Sequence, residues 1–130
     1  MAGWRAVTGA ALIVAAIGPG GNAAQATYDA KAGKAAFVRQ CALCHTIGKG
    51  EPNRYGPNLF GILDRKAASV PDFGYSPAFK STASWNWSAD ALAAFISSPK
   101  EMVPGSAMAV FQGVADNDRD DILAYLASQK

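Results

Sequence analysis

Apolar side chains recur at helical spacing in three parts of this 130-residue chain. The first part predicts a helix from about Asp29 to Cys41, with Asp29 as its N-cap. The second part predicts a helix that Pro99 ends. The third predicts a helix that begins near Asn117 or Asp118, where acidic side chains favour the positive end of the helix dipole. In chain order, the expected inner faces consist of Phe37, Val38, Cys41, Leu92, Phe95, Ile96, Ile122, Tyr125 and Leu126.

Serine residues mark two helix starts. Ser88 is the expected N-cap of the second helix. Ser76 precedes a proline and predicts a short helix over Pro77–Ser81, because proline is favoured at the first helical position. Residues 48–61 and 103–112 are rich in turn-forming residues and are expected to be loops. No useful strand pattern is present, so the chain is predicted to be all-α, with first and last helices that cross at Gly33.

The first 26 residues have the pattern of a cleaved signal peptide. Arg5 is the only charge before Asp29, Ala6–Ile17 is apolar, and Ala24-Gln25-Ala26 has the small-residue form that a signal peptidase accepts. A run of a dozen residues is too short for a membrane anchor, which needs about 20. We therefore expect cleavage near Ala26, with no membrane span after cleavage. Residues 27–130 are expected to form one domain in the periplasm.

Composition and charge exclude several function classes. The formal net charge is only +2, from 12 basic and 10 acidic residues, and no basic cluster is present. We therefore expect no nucleic-acid partner. The chain has two cysteines and one histidine, which are too few for a Cys/His zinc site of about four ligands. A Ser-His-Asp triad would have to use the only histidine.

Both cysteines and the histidine fall in one pentapeptide, Cys41-Ala42-Leu43-Cys44-His45. Two thiols three positions apart on a helical turn can form thioethers with the vinyl groups on one edge of a haem, and His45 then lies under the ring as the proximal iron ligand. A thioredoxin-type dithiol would need a βαβ context, and a structural disulfide would leave His45 unexplained. The expected cofactor is one haem c per chain, covalently attached through Cys41 and Cys44.

A second axial iron ligand is expected to be a methionine, because no other histidine exists. Met108 lies on the predicted loop after Gly105, and a loop residue can be aimed at the distal face of the ring. Met108 is therefore preferred over Met102, which lies close to a predicted helix end. The expected role of Met102 is to fill the core.

Several further segments occur in the order and at the spacing of a known family, and the chain resembles the class I c-type cytochromes of mitochondria and bacteria. The resemblance covers nearly all of residues 33–126. The segments that carry it are residues 33–45, Gly56–Leu59, Arg65-Lys66, Phe73–Tyr75, Trp87, Ser98–Lys100, Pro104–Met108 and Leu123–Leu126.

This resemblance implies the small cytochrome c fold, with about four to five helices around one covalently bound haem and crossing terminal helices. It implies that the loop at Pro57 supports His45 through a hydrogen bond. It also implies that Arg65, Tyr75 and Trp87 hold a buried haem propionate. Ser106 replaces a threonine, keeps its hydroxyl, and is included among the cofactor-binding residues.

The chain also departs from the family pattern. Phe95 stands where many members have a tyrosine near the methionine sulfur, which removes a hydroxyl group. Phe79 falls about where an asparagine is common, so the internal polar network is expected to differ. The lysines that surround the haem edge in mitochondrial members are thinned, and the remaining candidates are Lys34, Lys49, Lys80 and Lys100.

The function expected from these features is single-electron transfer in the periplasm. With His45 and Met108 on the iron, no coordination site is left for a substrate, so the protein is not expected to be an enzyme. Its expected partners are a redox-protein donor and acceptor, and the protein is expected to be a monomer. Two alternatives remain: a gas sensor or weak peroxidase with a labile sixth ligand, and a dedicated subunit of a dehydrogenase or oxidase.

Overall fold

A computed structural model describes residues 28–130 of the chain. The predicted signal peptide, residues 1–26, lies outside the described residues. Within them the regular elements are helices, together with one isolated antiparallel bridge between Lys66 and Asn86. The all-α prediction is therefore confirmed. The elements are α1 (Ala30–Gln40), α2 (Pro77–Thr82), α3 (Ala89–Ser97), α4 (Pro99–Met102), a 3₁₀ helix (Ala107–Val110) and α5 (Asp116–Ser128).

The predicted helix starts are confirmed where a side chain caps the backbone. The Asp29 carboxylate accepts hydrogen bonds from two N–H groups in the first turn of α1. The Ser76 and Ser88 hydroxyls each accept one from the amide three residues later, at 3.1 Å in both cases. Capping is a short-range interaction, and such helix ends can therefore be recognised from the sequence alone.

Two expectations between residues 97 and 112 need correction. Pro99 does follow the end of α3 at Ser97, but it also begins α4, because proline fits the first turn of a helix as well as it stops one. The segment predicted as a loop at 103–112 contains the 3₁₀ helix Ala107–Val110, whose N-cap is Ser106.

The expected inner face of α1 is correct except at one position. Phe37 is 2% exposed, whereas Val38 is 60% exposed. Neighbouring residues in a helix point about 100° apart, and the buried face of α1 is centred on Gly33, Ala36 and Phe37. On α5, the expected inner residues Ile122, Tyr125 and Leu126 are all buried.

The first and last helices cross as predicted, and Gly33 lies at the crossing. A Cβ atom built on Gly33 would lie 1.8 Å from the carbonyl oxygen of Asp121, so only glycine allows this approach. Close by, the Phe37 and Tyr125 rings pack with centroids 5.5 Å apart. The Asp29 amide donates to the Asp121 carboxylate at 2.8 Å, which fixes the start of α1 against α5.

A strand-like pairing joins the segment before α2 to the segment before α3. The amide of Trp87 donates to the carbonyl of Arg65 at 2.9 Å, and the amide of Ala67 donates to the carbonyl of Trp85 at the same distance. These backbone bonds hold Arg65 and Trp87 side by side, although they lie 22 positions apart in the sequence. No helix within residues 28–130 is long and apolar enough to cross a membrane.

Candidate cofactor site

A large apolar cavity opens in the middle of the helices. Its lining comes from the end of α1, the pentapeptide, the loop after it, α2, α3, the 3₁₀ helix and the segment before α5. The space amounts to about 1080 Å³, counted up to and including the open mouth. Its inner wall includes the buried side chains of Ile62, Phe79, Trp87, Phe95, Ile96 and Val114.

The pentapeptide lies on one side of this cavity. It forms a turn directly after α1, in which the amides of Cys44 and His45 both donate to the Cys41 carbonyl at 3.0 Å. Cys41, Cys44 and His45 all line the cavity. The turn thus places two thiols and one imidazole along the same wall, as the spacing predicts.

The expected support for His45 is present. Its Nδ1 lies 2.7 Å from the carbonyl oxygen of Pro57. A carbonyl can only accept, so Nδ1 carries the proton and Nε2 keeps the lone pair that a metal ion needs. Burial lowers the pKa of His45, and the bond to Pro57 offsets part of this effect. Both the neutral charge state and the tautomer therefore suit an axial ligand.

The loop that carries Pro57 is held by polar side chains that the sequence analysis did not single out. The side-chain amide of Asn58 donates to the Thr46 hydroxyl at 2.8 Å and to the Gly48 carbonyl at 3.0 Å. The Thr46 hydroxyl donates to the Pro52 carbonyl at 2.8 Å. Their only sequence signal is the segment Gly56–Leu59, which points to the loop and not to these contacts.

The ionisation of Cys41 argues against thiolate chemistry. Burial raises the pKa of the Cys41 thiol to about 11, and the neighbouring Cys44 adds to this rise. Because the thiolate is the reactive form in disulfide exchange, a thiol that stays protonated at neutral pH is a poor redox dithiol. The structure therefore disfavours the thioredoxin-type interpretation of the pentapeptide on chemical grounds as well as by fold.

Of the two candidate sixth ligands, the structure places Met108 on the cavity wall. Met108 belongs to the 3₁₀ helix, and its amide donates to the Ser106 hydroxyl at 3.1 Å. Ser106 also lines the cavity and is 8% exposed. Met102 instead packs at the edge of the core and is not part of the cavity wall. The contact from Ser106 thus orients the segment that carries Met108.

Arg65, Tyr75 and Trp87, predicted to hold a propionate, all reach the same cavity. The half-buried guanidinium of Arg65 donates to the carbonyls of Phe60 at 3.1 Å and Asn58 at 3.2 Å. Burial lowers the pKa of Arg65, and the nearby Tyr75 acts in the opposite direction. The Tyr75 hydroxyl accepts from the Val70 amide at 3.1 Å, which leaves its own proton available to donate.

An aromatic cluster lies behind these donors. Phe79 stacks on Tyr75 with centroids 5.5 Å apart and meets Phe95 edge-on at 5.7 Å. The two phenylalanines fill positions where the family pattern has polar side chains, so this wall is hydrocarbon. Trp85, which no sequence pattern indicates, packs edge-on against Trp87 at 5.6 Å, and its buried indole N–H has no hydrogen-bond partner among residues 28–130.

These residues fit a haem by the chemistry of their donors. An imidazole with a free Nε2 and a thioether are the axial pair that a low-spin haem iron takes. The two cysteine thiols lie in the same turn as the imidazole. The side chains of Arg65, Tyr75 and Trp87 can donate hydrogen bonds to the haem propionates in an otherwise apolar space. Most of the remaining lining is apolar and suited to the faces of a porphyrin.

Comparison with known proteins agrees with this fit. The model of a protein family described as "Cytochrome C oxidase, cbb3-type, subunit III" matches residues 28–126. Cytochrome c of Stellaria longipes is 41% identical over 98 residues, which span 75% of this chain and 90% of the relative. Cytochrome c2 of Agrobacterium tumefaciens (strain II Chrys) is 40% identical over 100 residues, which span 75% and 89%. A cytochrome c homolog of Bradyrhizobium diazoefficiens is 42% identical over 96 residues, which span 72% of this chain and 51% of the relative.

The family match covers most of the chain, and the first two relatives are covered over almost their whole length. The chain therefore belongs to the class I c-type cytochromes. The predicted cofactor, haem c attached covalently through Cys41 and Cys44, is confirmed by this membership. The chain is accordingly an electron carrier with a c-type haem.

Proposed function

We propose that the protein is a periplasmic single-electron carrier whose haem iron is ligated by His45 and Met108. The observation that carries this proposal is that the only histidine of the chain and one methionine of the described residues line the same cavity. When bound, the haem would accept and release one electron as its iron changes between the ferric and ferrous states. If His45 and Met108 both held the iron, no coordination site would be left to activate a substrate, and the protein is proposed not to be an enzyme.

Each part of the cavity has a defined task in this proposal. The Pro57 carbonyl keeps the proton on His45 Nδ1, and Ser106 holds the segment of Met108. Arg65 and Tyr75 would donate hydrogen bonds to a propionate that the apolar wall would otherwise leave unsatisfied. The apolar wall would keep water away from a bound haem, and this low polarity, like a thioether ligand, would favour the reduced state.

The proposed location and partners rest on the sequence and the relatives. The pattern of residues 1–26 supports export, and the bacterial cytochrome c2 relative is consistent with it. Electrons would enter and leave through a redox-protein donor and acceptor, with the carrier itself a monomer.

Carbon monoxide binding to the ferrous protein tests the proposed ligation. The native protein should give a low-spin spectrum that does not change when carbon monoxide is added, since both axial positions would be filled. Met108→Ala should bind the gas and should have a lower reduction potential, because the soft thioether is lost. Met102→Leu is the matched control and should behave as the native protein does.

Two results of this test would contradict the proposal. Gas binding by the native protein would show a labile sixth ligand and would favour the sensor or weak-peroxidase alternative. An unchanged potential and no gas binding in Met108→Ala would mean that another group is the ligand.

A second candidate is a dedicated subunit of an oxidase or dehydrogenase, because the matching family is described by an oxidase subunit. Gel filtration of the haem protein from its native host separates the two functions. Elution at the mass of a single chain supports the free carrier, and co-elution of the haem with a large complex supports the subunit.

A further inference from the structure

Large apolar side chains are exposed at the mouth of the cavity. Within residues 28–130, the strongly exposed large hydrophobic residues are Tyr28, Val38, Leu43, Tyr55 and Val110. Tyr55, 65% exposed, and Val110, 75% exposed, both line the cavity. Leu43, 89% exposed, lies between the two lining cysteines. We call Leu43, Tyr55 and Val110 the mouth patch.

Three such side chains around one opening differ from the scattered apolar residues of an ordinary surface. Single exposed hydrophobic residues need no explanation, but a group of them marks a binding surface. Two members of the mouth patch, Tyr55 and Val110, also line the cavity that would hold the cofactor. A partner that covered the mouth patch would remove apolar surface from water and approach the cofactor at the same time.

The charged side chain of the cavity wall and two charged side chains on the loop before Tyr55 are engaged by the protein itself. The cavity wall includes no lysine and no carboxylate, and its guanidinium, that of Arg65, donates inward to backbone carbonyls. Next to the patch, the Arg54 guanidinium donates to the Ala42 carbonyl at 2.9 Å. The Glu51 carboxylate accepts from the Ile47 and Gly48 amides at 3.2 and 2.7 Å.

The charges of the whole described part also nearly balance. Residues 28–130 carry eleven basic and ten acidic side chains. Long-range steering needs an excess of one sign on the approaching face, and neither the cavity wall nor the total supplies one. A strongly acidic partner would therefore find no complementary lysine on the cavity wall.

We propose that the protein recognises its redox partners by apolar contact at the mouth patch, and that the partner surface is apolar and weakly charged around its own redox centre. This inference rests on the proposed electron-carrier function. The patch is small, which suits the weak and short-lived complexes of electron transfer. The complex should also be insensitive to salt, because no exposed ion pair holds it together.

Voltammetry on coated electrodes tests the chemistry of this surface. The haem-loaded protein is adsorbed on gold that carries either methyl-terminated or carboxylate-terminated alkanethiol monolayers, and the electroactive amount is measured. We expect electron exchange on the methyl surface. It should persist from about 0.01 M to about 1 M salt, over which the screening length falls from about 30 Å to about 3 Å.

Uncharged substitutions separate apolar contact from charge. Leu43→Gln combined with Val110→Thr should reduce the affinity for the methyl surface by about tenfold or more, since each change removes apolar contact. Val38→Thr is the matched control, because Val38 is 60% exposed on α1 and does not line the cavity. This control should leave the adsorption unchanged.

Several results would overturn the inference. Preference for the carboxylate surface, lost at high salt, would show recognition by lysines. Flotation with neutral phosphatidylcholine vesicles would show a lipid surface as the occupant, and a dimer on gel filtration that the double variant abolishes would show a second copy of this chain. Equal adsorption of the double variant and native protein would also count against it.

A redox titration in solution distinguishes a failure of this inference from a failure of the proposed electron-carrier function. A protein with no reversible one-electron couple would contradict the carrier function itself. A protein with a normal couple, in which the double variant does not affect adsorption, would contradict only the mouth patch as the docking surface.

Discussion

The His45 imidazole packs directly against the backbone of Gly56, where a larger residue would leave no room for the ring. A Cβ atom on Gly56 would lie 2.3 Å from Cε1 and 2.6 Å from Nδ1 of the ring. The Gly56 amide meanwhile donates to the Cys44 carbonyl at 2.7 Å, so the backbone cannot retreat without losing that bond. The imidazole is therefore held between the glycine and the Pro57 carbonyl.

We predict that Gly56→Ala displaces the ring and weakens its bond to Pro57. Overpacking of this kind costs about 1–3 kcal/mol of unfolding free energy. The reduction potential and the low-spin spectrum should shift as well. Gly74→Ala is the control, because a Cβ on Gly74 meets no atom within 4 Å. A native spectrum in Gly56→Ala would show that the ring does not depend on this contact.

We also predict that Ser106→Ala loosens the segment of Met108. The Ser106 hydroxyl accepts from the Met108 amide, and loss of such a cap costs about 1 kcal/mol. The ferrous variant should bind carbon monoxide measurably, because the thioether leaves the iron more often. Ser81→Ala, at an exposed hydroxyl, is the control and should not bind the gas. If Ser106→Ala ignored the gas, the hydroxyl would not orient the ligand.

Individual residues differ in how well the sequence predicts them. The pentapeptide and the caps Asp29, Ser76 and Ser88 act over a few positions, so local rules identify them. Trp85 could not be foreseen, because its burial depends on the distant segment that contains Ala67. Val38 was assigned to the inner face wrongly, because apolar character alone does not give the direction of a side chain.

The crossing of α1 and α5 depends on backbone contact, and Gly33 makes this contact possible. In an isolated helix, alanine is more favourable than glycine by about 1 kcal/mol. At the crossing, the same methyl group would meet the Asp121 carbonyl oxygen at 1.8 Å. Packing therefore outweighs helix propensity here. The glycine lowers the intrinsic stability of α1, but it allows α1 to lie close to α5.

We predict that Gly33→Ala is destabilising although its helix propensity improves. The helices must move apart, with a loss of about 1–3 kcal/mol, or a fall in melting temperature of at least about 4 °C. Thermal unfolding followed by circular dichroism measures this change. Ala35→Gly, at an exposed position of α1, calibrates the propensity term alone. A rise in melting temperature for Gly33→Ala would show that the crossing can relax.

The two four-residue helices were harder to predict than the other helices. α4 and the 3₁₀ helix have four residues each, too few for a periodic pattern of apolar positions. Pro99 is compatible with the end of one helix and with the start of the next. Only the three-dimensional structure shows that α3 ends just before it and that α4 begins with it. The predicted starts of the longer helices α1, α3 and α5 lie within one or two residues of the observed starts.

The molecule as a whole is built around space that its own side chains do not fill. The cavity wall includes residues from almost every segment between α1 and α5. A protein of about 100 residues has a small margin of stability, of about 5–15 kcal/mol. Haem therefore acts as the centre of the hydrophobic core, besides carrying the electron.

We predict that the double variant Cys41→Ser/Cys44→Ser, which cannot form the thioethers, is largely unfolded after the haem is washed out. Far-ultraviolet circular dichroism should show a loss of most helical signal, with no cooperative thermal transition. The native protein treated in the same way should retain both its haem and its helices. A cooperative transition in the haem-free variant would show that the polypeptide core is sufficient.

The site was predictable in its chemistry but not in its walls. The two cysteines and His45 follow from a motif, and Met108 stays a prediction that rests on elimination within a short chain. The apolar lining has no signature of its own, because any buried face would use the same residue types. Those positions become recognisable only when the fold brings distant segments together.

The contact between the two terminal helices has a consequence for the order of events during synthesis. The bond from Asp29 to Asp121 joins residues 92 positions apart, and every residue of the cofactor site lies within that interval. α1 therefore has no packing partner until almost the entire chain has been made. During this delay the pentapeptide, which is made early, stays accessible for haem attachment until the last helix packs on α1.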